Sequence, residues 1–456
     1  MQVQTIILAA GQGTRMRSAR PKVLHEIGGK PLLAHVHRLA SQLGENDINV
    51  IYGHGGEQVL EVLGGLNTQW TEQKERLGTG HAVMQVADWI RDDRIVLILY
   101  GDVPLLQLKT AQKLIHHATD KSLGLLTITL ENPTGYGRIV RDADGNVVAI
   151  VEEKDATLEQ RAISEVNTGI LATKGSLLKG WLARLTNDNA QGEYYLTDII
   201  AMAVADGIYV DTSQPGNESE VLGINNRAQL AQLERRYQAD QANDLMEQGV
   251  TLLDPARFDL RGEIVAIGQD VEIDVNVVLE GRLRIGSNVR IGPNVLIRDS
   301  SIGDGVEILA NSVIDSAIIG AGSRVGPFAR VRPETQIAED VHIGNFVEIK
   351  KAEVARGSKI NHLSYIGDAI VGSGVNVGAG TITCNYDGAN KHLTVIEDGA
   401  FIGSDTQLVA PVRVGRNATI GAGSTITKDT PDNALTLSRT KQLTIEGWQR
   451  PVKQRS

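Results

Sequence analysis

The 456-residue sequence has little of what would identify several common protein classes. It contains one cysteine, Cys384, so a disulfide within the chain is impossible and a cytoplasmic location is expected. No apolar run reaches the ~18 residues that a membrane-spanning helix needs, so no membrane association is expected. Acidic residues outnumber basic ones and give a net charge of -10, which disfavours binding to nucleic acid or to an anionic membrane.

Aromatic residues are also scarce, at 4% of the chain, whereas glycine is frequent, with 49 residues. This bias indicates that at least one region is built from small and aliphatic side chains. The chain is too long for one ordinary core, and its length predicts two or three domains.

Up to about residue 225, short apolar runs alternate with amphipathic segments. We predict strands at Thr5–Ala10, Asn49–Tyr52 and Ile95–Tyr100, and helices at Leu32–Leu43 and His81–Ile90. This alternation is typical of an α/β domain with a Rossmann-like, mostly parallel sheet. Ligands of such sheets usually bind at the loops that follow the strands.

A long polar helix is predicted between the two halves of the chain, from Ala228 to Gln248. Asn225 or Asn226 can cap its start, and Gly249 can end it. The predicted organisation is therefore an α/β domain at residues 1–227, a helical linker at 228–248 and a second domain at 249–456.

After about residue 262, an aliphatic residue recurs at every sixth position and is often followed by glycine. Neither a helix nor an ordinary strand has this period, whereas a β-helix of hexapeptide repeats does. We predict a left-handed parallel β-helix, with coils of about 18 residues whose aliphatic side chains stack inside a triangular prism. The period shifts by one residue after Ile297, Ile314 and Ile349, which we interpret as adjustments at corners. Thr383–Ala400 is interpreted as an inserted loop.

A glycine-containing turn, Leu8–Met16, follows the first predicted strand. Its backbone amides can approach a phosphate, although the turn completes neither a Walker A motif nor G-x-G-x-x-G. Arg15 and Lys22 add cations that suit a triphosphate. Asp102 ends another predicted strand and suits Mg²⁺. Each of these features alone is also compatible with an ordinary turn.

Taken together, these motifs resemble the nucleoside-diphosphate-sugar pyrophosphorylase family. The match continues through Gln73, Leu77–Gly80, Gly135–Arg138, Glu152, Asn167–Gly169 and Gly223–Asn226. With the hexapeptide half attached, the chain resembles the bacterial family of bifunctional UDP-N-acetylglucosamine pyrophosphorylase/glucosamine-1-phosphate N-acetyltransferase enzymes.

The resemblance implies that UTP and N-acetylglucosamine 1-phosphate react to give UDP-N-acetylglucosamine and pyrophosphate, with Mg²⁺ as cofactor. Arg15 and Lys22 are the implied catalytic cations. The implied contacts of uracil and ribose are Leu8, Ala9, Ala10, Gly11, Gln73, Gly78 and Thr79, with Tyr100 and Gly101 beside them. The implied contacts of the sugar are Gly137, Glu152 and Asn167. Asp102 and Asn225 are the implied ligands of Mg²⁺.

In the second half, polar residues depart from the hexad pattern around Ala329–Pro333, Glu348–Lys351 and Asn361–Tyr365. Cations there can bind a phosphate, and His362 can act as a general base, although a lone histidine is more often structural. The resemblance implies acetyl transfer from acetyl-CoA to glucosamine 1-phosphate, with His362 as the base. The implied sugar-phosphate contacts are Arg332, Lys350, Tyr365, Asn376, Asn385 and Tyr386, and those of acetyl-CoA are Ala379, Ser404, Ala422 and Arg439.

The same resemblance implies direct acetyl transfer, a role for Ser404 at the oxyanion and a homotrimer whose acetyltransferase site lies between subunits. The product would supply peptidoglycan and lipopolysaccharide synthesis. One alternative is a single-activity pyrophosphorylase with a regulatory or oligomerising β-helix. A non-catalytic assembly subunit is another. A γ-type carbonic anhydrase is a third, and it would need zinc at His342, His362 and His392.

Overall fold

The structure is a computed structural model that describes residues 2–44 and 47–453. The chain divides into two compact units, Met1–Tyr237 and Gln238–Ser456, and the division falls inside one long helix. The three-part organisation at 1–227, 228–248 and 249–456 stays a prediction. Among the described helices, none is both long enough and apolar enough to cross a bilayer.

The first unit is built on a nine-stranded sheet. Its strands are β1 (Val3–Ala9), β2 (Ile48–Tyr52), β3 (Gln69–Glu72), β4 (Ile95–Tyr100), β5 (Ser122–Thr129), β6 (Arg138–Arg141), β7 (Val147–Val151), β8 (Glu165–Lys174) and β9 (Tyr209–Ser213). The strand order is β9-β5-β8-β4-β1-β2-β3, with β6 paired to β8 and β7 paired to β6. β8 runs antiparallel to β4 and β5, while β1 is parallel to β2 and β4. The predicted α/β fold with a mostly parallel sheet is confirmed.

Helices cover both faces of this sheet. One face packs against α1 (Leu32–Leu43), α2 (Gly56–Leu63) and α4 (Leu108–His117), and the other against α3 (Thr79–Met84), α6 (Gly175–Leu182) and α7 (Asp198–Ala205). The remaining helices are α5 (Leu158–Arg161) and α8 (Arg227–Glu247). Side chains of β1 alternate between two cores, so that Ile7 packs with residues of α1 while Ile6 packs with residues of α3. Two faces covered by helices explain why β1 and β4 read as continuous apolar runs.

The predicted helix at His81–Ile90 is wrong beyond Met84. The following residues form successive turns, in which the amide of Val86 donates to the carbonyl of Val83 at 3.1 Å. These turns still bury Val86 and Ile90, so the apolar spacing that suggested a helix persists without one. By contrast, α1 has the predicted bounds.

α8 begins and ends with side-chain and backbone caps. Asn226 Oδ1 accepts a hydrogen bond from the backbone amide of Gln229 at 2.9 Å, which satisfies one unpaired donor of the first turn. At the other end, Gly249 has a φ of 93°. The amides of Gly249 and Val250 donate to the carbonyls of Met246 and Leu245, both at 3.0 Å. This pair of bonds is a Schellman motif, which requires a left-handed residue where the glycine stands.

The second unit consists of short strands that pair in parallel with strands one coil away. Their bounds are Thr251–Leu252, Phe258–Ile267, Glu272–Ile273, Val277–Ile285, Arg290–Ile291, Leu296–Arg298, Ser301–Ile302, Glu307–Ile308, Val313–Asp315, Ala317–Ile319, Arg324–Val325, Arg330–Val331, Thr335–Ile337, His342–Asn345, Glu348–Val354, Lys359–His362, Tyr365–Val371, Asn376–Val377, Ile382–Cys384, Thr394–Ile396, Phe401–Ile402, Gln407–Val409, Val412–Val414, Thr419–Ile420, Thr425–Ile426 and Leu435–Thr436.

Parallel registers stack the aliphatic residues in columns inside the second unit. One column contains Ile291, Ile308, Val325, Ile343, Ile360, Val377, Ile402 and Ile420. The predicted β-helix of hexapeptide repeats is therefore confirmed. Left-handed residues stand where the period shifts, with φ of 43° at Asp299, 48° at Ser316 and 46° at Lys351. Left-handed corners also occur where the period is kept, with φ of 58° at Asn294 and 60° at Asn311, so the left-handed turn alone does not set the shift.

The predicted insertion is too long at both ends. Ile382–Cys384 and Thr394–Ile396 are coil strands, so the loop itself covers residues 385–393. Thr383 and Thr394 are fully buried and occupy inward positions that aliphatic residues take elsewhere. Because threonine replaces the aliphatic residue there, the sequence period is interrupted although the coil is not.

One corner of the β-helix carries exposed apolar side chains in three successive coils. Phe328, Phe346 and Leu363 are 50%, 55% and 62% exposed. The two phenylalanine rings stack with centroids 5.3 Å apart. The backbone amide of Phe346 donates to the carbonyl of Phe328 at 3.2 Å, which aligns the two coils. We call these three residues the apolar corner.

Candidate active sites

A cavity of about 360 Å³ lies at the edge of the first unit's sheet where β1 and β4 end. Ten residues predicted to bind the nucleotide or its metal line it: Leu8, Ala9, Ala10, Gly11, Lys22, Gln73, Gly78, Thr79, Tyr100 and Asp102. Four further lining residues were not predicted: Val23, Arg76, Ala82 and Glu193. Because the strands end here, backbone and side chains from distant parts of the sequence meet in one place.

The glycine turn after β1 packs against the Lys22 side chain. Gly13 has a φ of 62°, and a Cβ at this position would lie 2.7 Å from the Cβ of Lys22. At Gly11, by contrast, a Cβ would meet no atom within 4 Å. Gly13 therefore permits a close approach within the protein, whereas Gly11 opens onto the cavity.

Four polar side chains meet beside this cavity. The ammonium of Lys22 donates to Asp102 Oδ2 and, at 3.3 Å, to Asn225 Oδ1. Arg15 Nη2 also donates to Asn225 Oδ1, at 2.9 Å. The side chains of Lys22 and Asp102 are only 12% and 16% exposed. The two predicted Mg²⁺ ligands and the two predicted catalytic cations thus form one cluster.

A second cavity of about 220 Å³ continues from the first, because Tyr100 and Asp102 line both. Arg15 and Asn225 also line it, together with Val103, Thr134, Gly135, Tyr136, Thr168, Val221, Gly223 and Gln229. Burial raises the pKa of the Tyr100 hydroxyl, and the negative charges of Glu152 and Asp102 raise it further. Tyr100 therefore remains a neutral hydroxyl between the two cavities.

The three predicted sugar contacts lie together, although they line neither cavity. The amide of Asn167 donates to the carbonyl of Gly137 at 2.8 Å, and a Cβ at Gly137 would lie 3.4 Å from Glu152 Oε1. Thr197 Oγ1 donates to Glu152 Oε1 at 3.0 Å. Burial raises the pKa of Glu152, and the nearby carboxylate of Asp198 adds to the effect.

Gly101 is also absent from the cavity surface. Its amide donates to the carbonyl of Leu8 at 2.9 Å, and a Cβ there would lie 3.2 Å from the Cβ of Ala9. The residue joins the ends of β4 and β1 instead of facing the cavity. Its contribution at this edge is close packing of the two backbones.

In the second unit, the predicted acetyl-CoA contacts stack along one corner of the β-helix. The amide of Asp405 donates to the carbonyl of Ala379 at 2.7 Å, and that of Gly423 to the carbonyl of Ser404 at 2.8 Å. Arg439 Nη1 donates to the carbonyl of Ala422 at 3.0 Å. These contacts connect residues of successive coils.

His362 lies one coil before Ala379 along this corner. Ser364 Oγ donates to the carbonyl of His362 at 2.8 Å and lies 3.4 Å from the carbonyl oxygen of Gly378. The imidazole is exposed, and its Nδ1 lies 2.8 Å from Asn345 Oδ1. His362 therefore does not point into the aliphatic interior.

Cations predicted to bind the sugar phosphate lie on the face next to His362. Arg332 Nη1 donates to Glu348 Oε1 at 2.7 Å. The pKa of Lys350 is lowered chiefly by the neighbouring Lys391, whose positive charge disfavours a second ammonium beside it, with a smaller effect of Arg332. Lys391 was not predicted. Three neighbouring cations make this face attractive to an anion.

Asn385 lies between Asp368 and Tyr365. Asn385 Nδ2 donates to Asp368 Oδ2 at 2.5 Å and lies 3.5 Å from the Tyr365 hydroxyl. The Tyr386 hydroxyl donates within the inserted loop, to the carbonyl of Gly388 at 2.6 Å. Asn376 lies on another face of the prism, in a strand that pairs with Lys359 and Phe401. One chain therefore does not bring all the predicted sugar-phosphate contacts together.

Both halves of the chain match models of known protein families. Residues 5–156 match the MobA-like NTP transferase domain, residues 262–345 the GMPPB C-terminal domain, and residues 393–428 the bacterial transferase hexapeptide (six repeats). The bifunctional protein GlmU of Methylococcus capsulatus is 69% identical over 100% of this chain and 99% of its own. Those of Azoarcus sp. and Ralstonia nicotianae are 59% and 57% identical over 99% of this chain and 100% and 99% of their own.

The chain belongs to the bifunctional GlmU family. It is a transferase with uridylyltransferase and acetyltransferase activities, and it acts in UDP-N-acetylglucosamine synthesis. The predicted membership and bifunctional activity are confirmed. The single-activity alternative is not favoured, since full-length relatives share both halves.

Proposed function

We propose that the two activities reside in the two clusters described above. The cleft of the first unit transfers a uridylyl group from UTP to N-acetylglucosamine 1-phosphate and releases pyrophosphate. The corner around His362 transfers an acetyl group from acetyl-CoA to glucosamine 1-phosphate. The observation that carries the proposal is the meeting of Lys22, Asp102, Asn225 and Arg15 beside the cavity at the end of β1 and β4.

In the first site, the reaction joins two anions. A phosphate oxygen of the sugar phosphate attacks the α-phosphorus of UTP, and the bond to pyrophosphate breaks. Arg15 and Lys22 neutralise the repelling charges and stabilise the charge that develops. Leu8–Gly11, Gln73, Gly78 and Thr79 would hold uracil and ribose, while Gly137, Glu152 and Asn167 would hold the sugar. Positioning and electrostatics suffice, so no covalent enzyme intermediate is needed.

The donor set fits Mg²⁺. Asp102 Oδ2 and Asn225 Oδ1 both point at the Lys22 ammonium, so the two oxygens already converge on one cation. A carboxylate and an amide oxygen are hard ligands, and phosphate oxygens and water can complete an octahedral shell. Among the described residues, no group of three or more His, Cys, Asp or Glu is placed to hold a metal. When bound, Mg²⁺ would supply charge neutralisation at the phosphates.

The same geometry gives Lys22 two successive partners. Its ammonium occupies the point between the two oxygens that Mg²⁺ would need. Binding of the ion there would displace the ammonium, and the phosphates of bound UTP would offer it new partners. Lys22 would then bind substrate rather than its own carboxylate.

In the second site, His362 takes a proton from the amine of glucosamine 1-phosphate. The amine attacks the thioester carbonyl, the C–S bond breaks, and the CoA thiolate takes up a proton. Ser404 would stabilise the oxyanion, and Ala379, Ala422 and Arg439 would hold acetyl-CoA. Arg332, Lys350, Tyr365 and Asn385 would hold the sugar phosphate. Direct transfer is favoured over an acyl-enzyme at Cys384, because burial raises the pKa of that thiol and leaves it a poor nucleophile.

A homotrimer with shared acetyltransferase sites is part of this proposal. The apolar corner is exposed, and its Leu363 directly follows His362 in the chain. Asn376 lies on another face of the prism than the other sugar-phosphate contacts of the same chain, so a neighbouring copy can supply it. Phe346→Asp should yield monomers in sedimentation analysis and lose acetyl transfer while keeping uridylyl transfer. A trimer that persists with this variant would refute the role of the apolar corner.

The product assay contains glucosamine 1-phosphate, acetyl-CoA, UTP and Mg²⁺, each omitted in turn. Asp102→Ala should abolish uridylyl transfer and spare acetylation, and His362→Ala should do the reverse. Equal loss of both activities in a folded variant would contradict the assignment of separate sites. The product would serve peptidoglycan and lipopolysaccharide synthesis. The cytoplasmic location stays a prediction, which cell fractionation tests.

A further inference from the structure

Within the described chain, the imidazole of His362 has one hydrogen-bond partner, Asn345, whose Oδ1 lies 2.8 Å from Nδ1. Asn345 lies directly beside His362 in the parallel register of the preceding coil. We propose that Asn345 is a positioning residue for acetyl transfer, which fixes the tautomer and the orientation of the His362 ring. The inference rests on the proposed role of His362 as the base.

The chemistry of the pair decides which nitrogen carries the proton. An amide oxygen only accepts hydrogen bonds, so its partner Nδ1 must hold the proton of the neutral ring. The lone pair is then on Nε2, the nitrogen that must face the substrate amine. Within the described chain, no side chain or backbone group donates to Nε2. The ring is exposed, so this lone pair is available to a substrate.

Backbone contacts hold the pair in place on both sides. The amide of Leu363 donates to the carbonyl of Asn345 at 3.1 Å, and the buried Ser364 hydroxyl donates to the carbonyl of His362 at 2.8 Å. A Cβ at Gly344 would collide with the backbone of Asn361. Gly344 thus lets the two coils approach closely enough for the Asn345 side chain to reach the ring.

The opposite orientation of the amide makes a different prediction. If Asn345 Nδ2 donated to Nδ1, the ring proton would lie on Nε2, and this nitrogen could not accept a proton from the amine. Replacement of the amide by a carboxylate separates the two cases, because a carboxylate only accepts. Asn345→Asp keeps the acceptor that the proposal requires and removes the donor that the opposite orientation requires.

The experiment measures kcat and KM of acetyl transfer in the full-length protein, from release of the CoA thiol. Asn345→Leu and Asn345→Ala remove the acceptor, and kcat should fall by about 10–100-fold, the range found for residues that orient metal-bound histidines. The KM values for both substrates should change by less than about twofold, because no substrate contact is removed. Asn345→Asp should restore kcat to within about fivefold of the unmodified protein.

Two controls accompany these variants. Uridylyl transfer by the same preparations reports folding of the first unit, a thermal melt followed by circular dichroism reports folding of the β-helix, and both should match the unmodified protein. Asn294→Gly removes a comparable hydrogen bond between coils, the one from Asn276 Nδ2 to Asn294 Oδ1 at 3.0 Å, far along the sequence from His362. It should leave acetyl transfer unchanged. Loss of acetyl transfer in this control would mean that any contact between coils matters, and would overturn the specific role of Asn345.

Three further results would overturn the proposal. They are full kcat in Asn345→Leu and Asn345→Ala, an Asn345→Asp variant as slow as these two, and a raised KM with kcat unchanged, which would indicate direct substrate contact. Full acetyl transfer by His362→Ala would instead refute the role of His362 in the proposed function. The two failures are therefore distinguishable.

Discussion

Replacement of Lys22 by methionine should strengthen the binding of a divalent cation to the protein without nucleotide. In the structure, the Lys22 ammonium holds both oxygens that are proposed to bind Mg²⁺. The ion must displace this ammonium or bind beside it, and both are unfavourable. Methionine keeps most of the length and volume of the side chain while removing the charge. Metal binding to the variant therefore avoids the competition.

The size of the effect follows from Coulomb's law. Two unit charges about 4 Å apart interact with about 1 kcal/mol in water and about 4 kcal/mol near a protein surface. Lys22 and Asp102 are 12% and 16% exposed, so the pair lies between these limits. We expect the dissociation constant to fall by about 10–100-fold, since about 1.4 kcal/mol corresponds to each factor of ten.

The assay is electron paramagnetic resonance of free Mn²⁺, which binds the same oxygen ligands as Mg²⁺. Arg20→Met is the matched control, because it removes a positive charge from an exposed pair with Glu26 and should leave binding unchanged. Asp102→Asn should abolish binding. If Lys22→Met bound Mn²⁺ no more tightly than the unmodified protein while Asp102→Asn lost it, the competition argument would be refuted. If Asp102→Asn bound normally, the proposed metal site itself would be wrong.

Three further variants test the stability of the fold. Glu152→Gln should raise the melting temperature of the first unit at neutral pH, because burial raises the pKa of Glu152 in the folded protein. The gain should vanish as the pH falls, since the carboxyl is then protonated in both the folded and the unfolded protein. Asn226→Ala removes the cap of α8 and should cost about 1 kcal/mol in urea unfolding, while Asn226→Ser should cost much less. Ile360→Ala leaves a cavity inside the β-helix and should cost about 2–5 kcal/mol, seen as earlier thermal loss of acetyl transfer than of uridylyl transfer.

The β-helix was predictable from the sequence because the aliphatic residue that marks each turn of the chain recurs many times. The aliphatic period of six follows from the packing of each coil on the next, and the register of Ile343 on Ile360 repeats that contact. The predicted bounds of the inserted loop and of the helix after His81 were wrong because the pattern of buried residues does not follow the secondary structure there. Thr383 and Thr394 face inward without being aliphatic, and the turns after Met84 bury apolar residues at helical spacing.

The candidate sites were predictable where residue types depart from the local pattern, as at Asp102 and His362. Residues that contact a predicted site residue from another coil or from the inserted loop were missed. Asn345, Asp368 and Lys391 lie beside predicted residues only after the chain has turned through a coil or a loop. The observed register places Asn345 opposite His362. A search one coil away from each predicted residue could have found it.

The inserted loop at residues 385–393 has a consequence for how such a protein can acquire new chemistry. Val377 still stacks on Ile402 across this longer coil, as Ile402 does on Ile420 in the next. Extra chain that leaves and returns at one corner does not alter which side chains fill the interior. The prism can therefore gain or lose reactive groups at its edges independently, while the same aliphatic columns continue to support it.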